Sequence, residues 1–291
     1  MSYRITIWGA RGSIPTPGPQ TARYGGNTPC LTVETDGAGG PHLVVLDAGT
    51  GIRPAGRALV EARQGPLVVD LLVSHTHWDH IQGLPFFAPL FDEHSEVRIW
   101  GPKQGSVDLE RILRDQMNPV VFPVPLEQLD AKLTVTHVEP GGFEVEGFAV
   151  RAMTLRHPGT TFAYRLVPRG GGPSVVYVTD NELGSGGSYH EGPRWRRELI
   201  AFADGADVLI HDAMFTTEEL DRHRGWGHSS HAEAVKLAAE AAVKKLVLFH
   251  HKPERHDAGM DALVAEARTL AAGMARDLAV EAAVEGVTLF L

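Results

Sequence analysis

The stretch that decides the fold is a run of closely spaced metal-binding residue types, Ser74-His75-Thr76-His77-Trp78-Asp79-His80. It directly follows residues 67–73, an apolar run broken only by Asp70, which predicts a buried strand. Imidazoles and a carboxylate at the end of such a strand are costly to bury unless they are paired or bind a metal. The stretch therefore predicts a metal site at the carboxyl end of this strand.

The spacing within the stretch predicts two adjacent metal sites. If His75 and His77 lie on extended backbone, alternation places both rings on one face. A turn after them would bring Asp79 and His80 in from another side, so that the first pair serves one metal and the second pair the other. Imidazole and carboxylate ligands without a thiolate favour Zn²⁺, and Mn²⁺ or Fe²⁺ less well. The alternative is a solvated polar loop whose histidines bind nothing.

Composition narrows the class of protein. The chain has 291 residues, 43% of them hydrophobic, and no composition break, so it predicts one domain over 1–291. No apolar run approaches the roughly 20 residues that span a bilayer, and the N-terminus lacks a signal-peptide pattern, which together predict a cytoplasmic protein without a membrane partner. The single Cys30 allows no intrachain disulfide. A net charge of −9 argues against a broad surface for long nucleic acid, although a small phosphate remains compatible with it.

Two motifs resemble those of a known family. The stretch 75–80 resembles the signature of the metallo-β-lactamase-fold hydrolases, and the resemblance covers nearly the whole chain. Leu155-Arg156-His157-Pro158, followed by Phe162-Ala163-Tyr164-Arg165-Leu166, resembles the third motif of the ribonuclease Z and cyclic-phosphodiesterase branches. The resemblance implies an α/β fold, an αβ/βα four-layer sandwich of two mixed sheets packed face to face, with helices outside. It also implies a dinuclear site, with two Zn²⁺ per chain, or Mn²⁺ or Fe²⁺ in their place.

The resemblance also implies the remaining metal ligands. His157 would complete the first metal's ligands, and His250 would serve the second, with the adjacent His251 as the alternative because only one of two consecutive strand residues faces a site. Asp180 follows the predicted strand 174–179 and would bridge both metals, since two dications close together need anionic charge between them. The full set of implied ligands is His75, His77, Asp79, His80, His157, Asp180 and His250. Asp47 would support a ligand histidine from behind.

Three residues are candidates for proton transfer. Asp79 is predicted to orient or deprotonate the attacking water while it binds metal. His228 and Asp212 occupy positions where ribonuclease Z-like enzymes place a histidine and an acid near the leaving group, and the acid here is aspartate instead of the family's usual glutamate. The alternative for His228 is a loop residue before the helix that the spacing of Ser230 and Glu233 predicts.

The predicted function is hydrolysis of a small phosphodiester, such as a cyclic nucleotide or a cyclic phosphate. A metal pair activates water and neutralises an anionic transition state, which favours phosphate esters. A ribonuclease Z-like nuclease is the first alternative, but that enzyme carries a tRNA-gripping arm between its third and fourth motifs, and only the 22 residues 158–179 separate His157 from Asp180. The sequence is also compatible with a lactone, thioester or β-lactam hydrolase, and with a non-enzymatic di-iron or regulatory binding domain. The chain could also form a homodimer.

Two interpretations apply to several further segments. The Pro/Gly-rich loop up to Gly26 could border the site, and the Pro-rich segment 118–125 is either a lid or a connector. The arginine cluster after Pro193 is either solvated or a phosphate clamp; its members are Arg194, Arg196 and Arg197.

Periodicity predicts helices over 81–90 and 257–274.

Overall fold

Two β-sheets form the centre of the fold. The computed structural model describes residues 3–37, 40–63, 65–184, 189, 194–274 and 277–291. Over those residues each sheet has seven strands.

The first sheet is built from the N-terminal half and the last strand. Its strands are β1 (Tyr3–Gly9), β2 (Cys30–Gly37), β3 (Gly40–Leu46), β4 (Leu67–Leu72), β5 (Ser95–Gly101), β6 (Lys132–His137) and β14 (Thr288–Phe290). Their order across the sheet is β14-β1-β2-β3-β4-β5-β6. β3, β4, β5 and β6 run parallel, so their carboxyl ends meet at one edge. The predicted strand 67–73 is β4, and the histidine-rich stretch follows it at that edge.

The second sheet contains the remaining strands. They are β7 (Gly141–Val145), β8 (Phe148–Thr154), β9 (Phe162–Pro168), β10 (Val175–Val178), β11 (Val208–Asp212), β12 (Lys245–Phe249) and β13 (Ala279–Ala282). Their order is β13-β12-β11-β10-β9-β8-β7. β10 to β13 are parallel, and β11 and β12 are buried along most of their length, which explains their continuous Val/Leu/Ile sequence.

The two sheets pack face to face, and helices cover their outer faces. Side chains of both sheets share one buried cluster, which includes Ile5 and Val44 of the first sheet and Phe148, Tyr164 and Phe249 of the second. Separate clusters join each sheet to its own helices. The helices are α1 (Ile52–Ala62), α2 (Trp78–Ile81), α3 (Leu109–Gln116), α4 (Trp195–Ala203), α5 (Thr217–Leu220), α6 (His231–Glu240) and α7 (Asp257–Gly273). The predicted α/β four-layer sandwich is confirmed.

The prediction of a single helix over 81–90 is wrong. Instead α2 ends at Ile81, and two short 3₁₀ helices follow at Leu84–Phe86 and Ala88–Phe91. Pro85 and Pro89 lack the N–H that a continuous α-helix needs, and each lies in the first turn of a 3₁₀ helix, where no such bond is required.

The helix predicted over 257–274 is confirmed as α7. Its periodic apolar side chains are buried against the second sheet, as their spacing predicts. In the described ranges, no helix is long and apolar enough to cross a membrane.

Candidate metal centre

Polar residues gather where parallel strands of both sheets end. Asp47 follows β3 and His75 follows β4 in the first sheet, while Asp180, Asp212 and His250 stand at the ends of β10, β11 and β12 in the second. Each of these five residues is at most 2% exposed. Two strand edges thus bring residues that are far apart in sequence into one cluster.

The first group of candidate ligands is His75, His77, His157 and Asp180, whose nitrogen and oxygen atoms all lie within 4.8 Å of one another. His77 Nδ1 lies 2.9 Å from His157 Nε2. The Oδ2 atom of Asp180 lies 3.5 Å from His157 Nε2 and 3.7 Å from His75 Nε2. His75 and His77 were assigned to the first metal from their spacing, and the family resemblance added His157 and the bridging Asp180.

The second group is Asp79, His80, Asp180 and His250, again within 4.8 Å of one another. Here the other carboxylate oxygen of Asp180, Oδ1, lies 3.1 Å from both His80 Nε2 and His250 Nε2. His250 Nε2 is also 3.2 Å from Asp79 Oδ2. Asp180 therefore presents one oxygen to each group, which is the arrangement a bridging ligand requires.

The hydrogen bonds behind the histidines fit metal binding. The Nδ1–H of His80 donates to Asp47 Oδ2 at 2.8 Å, and that of His157 donates to the Gly227 carbonyl at 2.8 Å. Ser74 Oγ donates to Asp47 and so accepts from Nδ1 of His75. These bonds leave each Nε2 as a lone-pair donor, the tautomer that a metal ligand needs. The Nε2 atoms of His75 and His80 are buried and, within the described residues, make no well-aligned hydrogen bond, although carboxylate oxygens of Asp180 lie nearby.

The charges of the centre also call for a cation. Three buried carboxylates surround His80: Asp79, Asp180 and Asp47. Burial disfavours its charged ring, but the carboxylates outweigh burial and raise the pKa of His80 well above its ordinary value. In contrast, burial lowers the pKa of His157 to about 4, so this ring is neutral at pH 7. The carboxylates around His80 thus favour a positive charge beside them, which is the charge that a bound divalent metal would supply.

Unusual backbone conformations concentrate here. Ser13, Asp47 and His250 have φ values of 63°, 59° and 58°, a region that non-glycine residues rarely adopt. The Ser13 N–H donates to Asp79 Oδ2 at 2.7 Å, so the N-terminal loop that was predicted to border the site contacts a candidate ligand directly. Strained residues that share one site indicate that the surrounding structure holds a functional arrangement in place.

His228 and Asp212 form a buried pair beside the second group. The Nδ1–H of His228 donates to Asp212 Oδ2 at 2.6 Å, so the shorter aspartate does reach the ring. The His228 ring stacks on that of His250, with 5.0 Å between centroids, and lies edge-on to His157 at 5.2 Å. Burial opposes protonation of this histidine, but Asp212, together with Asp180 and Asp79, outweighs burial and raises the pKa of His228 to about 9. The raised pKa favours the protonated ring, in which Nδ1–H is bonded to Asp212 and Nε2–H is not.

The alternative ligand His251 lies outside both groups. Its Nε2–H donates to the Ala283 carbonyl at 2.8 Å, its ring lies edge-on to Tyr24, and burial lowers its pKa to about 3. Of the two adjacent histidines, the structure therefore brings only His250 to the cluster.

The peripheral segments have their own contacts. Arg196 pairs with Glu240 at 2.5 Å, which favours the solvated interpretation of the arginine cluster. In the Pro-rich segment Phe122 packs edge-on against Phe86, while Val121 is 72% exposed. Both interpretations of that segment, lid and connector, stay open.

Sequence reasoning missed Glu182, which supports the His228 loop. Its buried carboxylate accepts backbone N–H groups of Gly225 and Gly227 at 2.8 and 3.1 Å. Gly227 has φ +84°, and a Cβ at this position would lie 2.1 Å from His157 Nδ1. The only sequence signal was a glycine directly before His228.

Arg11 is a second missed residue, a fully buried cation that joins two loops near the site. Its guanidinium donates to the Gly25 carbonyl and to the carbonyls of Lys252 and Arg255, at 2.8 to 3.2 Å. It thereby ties the loop of Ser13 to the segment after His250.

Comparison with known proteins identifies the family. A model described as "Beta-lactamase superfamily domain" matches residues 42–251, which is most of the chain. The chain belongs to the β-lactamase superfamily. Its clustered histidines and aspartates are consistent with the dinuclear metal site expected of the metallo-β-lactamase fold.

Two curated relatives of this superfamily member are named ribonuclease Z. The protein of Shouchella clausii is 29% identical, with 62% of this chain and 68% of the relative covered. That of Haloferax volcanii is 27% identical, with 94% of this chain and 92% of the relative covered.

Solved structures share the fold over the whole chain. The metallo-β-lactamase fold protein YhfI from Bacillus subtilis has a TM-score of 0.69 at 22% identity, covering 100% of this chain and 99% of that one. A diphosphatase of the PhnP family has a TM-score of 0.66 at 19% identity, with 100% and 98% covered. Yeast PDE1 has a TM-score of 0.73 at 16% identity, with 100% and 99% covered. At these identities the likeness shows the fold alone.

Proposed function

We propose that this protein is a dinuclear metal-dependent phosphodiesterase that hydrolyses small phosphodiesters, such as cyclic nucleotides or cyclic phosphates. The observation that supports this most strongly is the placement of the His228–Asp212 pair against a centre whose Asp180 faces two ligand groups. A proton donor beside a dinuclear centre suits a reaction in which an alkoxide must leave from an anionic phosphate.

The metals would be held by the two groups described above, His75, His77 and His157 for one and Asp79, His80 and His250 for the other, with Asp180 shared. Zn²⁺ suits this set of imidazoles and carboxylates, with Mn²⁺ or Fe²⁺ as alternatives. When bound, a pair of dications supplies a water of lowered pKa and positive charge against the phosphoryl oxygens.

The chain's own residues would orient the water and move the proton. Asp79 has one oxygen fixed by the Ser13 N–H, so its carboxylate can orient the attacking water in one direction. As the new P–O bond forms and the bond to the leaving oxygen breaks, Nε2–H of His228 donates its proton to that oxygen. Asp212 stabilises the protonated ring before the transfer and keeps the donating nitrogen directed away from itself. The attacking water gives up one proton to solvent, which restores the proton that His228 has donated. The products are a phosphomonoester and an alcohol, which are one molecule when the substrate is a cyclic diester.

The connection between β9 and β10 favours a small substrate. Residues 158–179 consist of a loop followed by the antiparallel pair β9 and β10, joined through residues 169–174. The short connection leaves no room for an arm that could hold a folded RNA. The net charge of −9 also disfavours a surface with many phosphate contacts.

A ribonuclease Z-like nuclease is the second candidate, because both relatives compared above carry that name. It would use the same residues for the chemistry and differ in how the substrate is held. Lactone, thioester and β-lactam hydrolysis would use the metals as well, but their electrophiles are neutral, whereas the charge of two dications is best matched to an anionic phosphate.

A turnover screen on one sample of measured metal content tests the proposal. The substrates are 2′,3′- and 3′,5′-cyclic nucleotides, bis(4-nitrophenyl) phosphate, a tRNA precursor, a lactone and nitrocefin. We expect the small diesters to be hydrolysed fastest, and His228→Ala to slow the cyclic nucleotides most. Specific 3′ cleavage of the precursor with intact small diesters would establish the nuclease instead.

A further inference from the structure

Two tryptophans at the proposed metal centre are exposed to solvent. Trp78 is 69% exposed and Trp226 is 60% exposed. The other three tryptophans, Trp8, Trp100 and Trp195, are buried or half-buried, and each donates its indole N–H in a hydrogen bond. Large aromatic side chains are normally covered in this way, so the two exposed ones call for an explanation.

Both exposed tryptophans adjoin the partners of one candidate ligand, His157. Trp78 follows His77, whose Nδ1 lies 2.9 Å from His157 Nε2. Trp226 precedes Gly227, whose carbonyl accepts the Nδ1–H of His157 at 2.8 Å. The two indoles therefore extend from backbone that lies directly beside the first ligand group.

The Trp226 ring is held in place by a series of aromatic contacts. It lies edge-on to His223 at 4.8 Å, His223 stacks on Phe215 at 4.5 Å, and Phe215 lies edge-on to His228 at 6.0 Å. The backbone N–H of Trp226 also donates to the His223 carbonyl at 3.1 Å. An exposed ring that is fixed before binding loses little conformational entropy when a ligand stacks on it.

We propose that Trp78 and Trp226 form an aromatic rim that stacks on the base or aryl group of the substrate. The inference rests on the proposed function, because it assumes a phosphate at the metal centre. Every nucleobase has a π-face, so stacking on tryptophan recognises an aromatic diester without requiring one particular base. It also needs no positive charge, which suits a chain with net charge −9. The substrate class is thereby narrowed to phosphodiesters that carry an aromatic group next to the reacting phosphate.

The test compares two ligands that share a phosphate and differ by a base. Dissociation constants of adenosine 5′-monophosphate and ribose 5-phosphate are measured by calorimetry on metal-loaded protein. Base stacking on an aromatic side chain corresponds to roughly 5- to 150-fold in affinity. We expect the wild type to prefer the nucleotide by about that factor, and Trp226→Ala and Trp78→Ala each to lose part of the preference while ribose 5-phosphate binds unchanged.

Matched variants separate stacking from a general disturbance. Trp226→Phe should keep much of the preference because it retains a ring, and Phe290→Ala, which removes an aromatic that is 73% exposed outside the site, should leave both constants unchanged. Equal affinity of the wild type for the two ligands, or an unaltered preference in both alanine variants, would refute the proposal that the tryptophans stack on the substrate. An alanine variant that elutes as a smaller species in size-exclusion chromatography would likewise overturn it, since the indoles would then belong to an interface between copies. If neither ligand binds, both the proposed phosphodiesterase function and the stacking proposal are refuted. If both ligands bind with equal affinity, only the stacking proposal is refuted.

Discussion

Replacing Asp212 by asparagine should make His228 a much weaker proton donor while leaving the surrounding structure in place. Asp212 Oδ1 accepts the backbone N–H groups of Met214 and Ser229 at 2.9 and 3.2 Å. In Asp212→Asn these two donors force the amide oxygen to the Oδ1 position, so the amide NH₂ must face His228. Nδ1 of His228 then has to accept instead of donate, and the ring becomes neutral with its proton on Nε2. A neutral imidazole is a far weaker acid than the imidazolium that it replaces.

The expected loss follows from the role of the pair. General-acid catalysis contributes roughly 10²–10⁴-fold, or about 3–5 kcal/mol of the activation free energy. The 2.6 Å hydrogen bond is fully buried, and the substitution inverts it completely, so we expect about a 10³-fold fall in kcat on a cyclic nucleotide, whose alkoxide must be protonated. On bis(4-nitrophenyl) phosphate, whose phenolate leaves without a proton, we expect less than about a tenfold fall.

The assay is steady-state hydrolysis of both substrates by wild type, Asp212→Asn and His228→Ala at equal metal content. Asp221→Asn is the matched control, because that aspartate side chain is 72% exposed, and it should behave as the wild type does. Equal falls on the two substrates would refute the role of His228 as the leaving-group acid. A large fall accompanied by metal loss would assign the pair to metal retention instead.

Three further predictions concern other parts of the structure. Gly227→Ala should lower kcat at least tenfold in steady-state kinetics, because the added Cβ would displace the His157 ring. Gly225→Ala is its control and should retain most activity, since Gly225 also has a positive φ, +87°, but no atom lies within 4 Å of the added Cβ. Arg11→Met leaves three carbonyls without their donor, so it should lower the free energy of unfolding, measured by urea denaturation, by about 3 kcal/mol or more. Arg53→Met, on the exposed face of α1, should change it by less than about 0.5 kcal/mol. The kcat/KM for a small diester should vary less than about threefold between roughly 50 and 200 mM salt, and a steep linear fall on a logarithmic plot would indicate the many phosphate contacts of a nuclease.

The sequence predicted the parts of the site that are local. The stretch 75–80 supplies four candidate ligands directly after one strand, so strand periodicity and residue type sufficed to locate them. His157, Asp180 and His250 also end or follow strands, but only the family resemblance connected them, because nothing in their spacing states which strand edges meet. The four-layer fold was predicted from the same resemblance and from the continuous apolar runs, which form parallel strands in both sheets.

Residues that act through the backbone could not be predicted. Glu182 binds N–H groups more than 40 positions away, and Arg11 binds carbonyls more than 240 positions away, so neither contact has a local pattern. The positive φ of Asp47 and His250 is likewise a consequence of tertiary packing. The helix predicted over 81–90 does not form for a different reason, because Pro85 and Pro89 interrupt it despite the helical spacing of its apolar residues.

The most direct test of the central claim is the metal content of the purified protein and of Asp180→Ala, measured by elemental analysis together with turnover of a small phosphodiester. The account predicts about two zinc-type ions per chain in the wild type, and loss of at least one ion and nearly all activity in the variant, because each oxygen of Asp180 faces one ligand group. A wild-type protein that holds no metal, and that gains no activity when Zn²⁺ or Mn²⁺ is added, would contradict it.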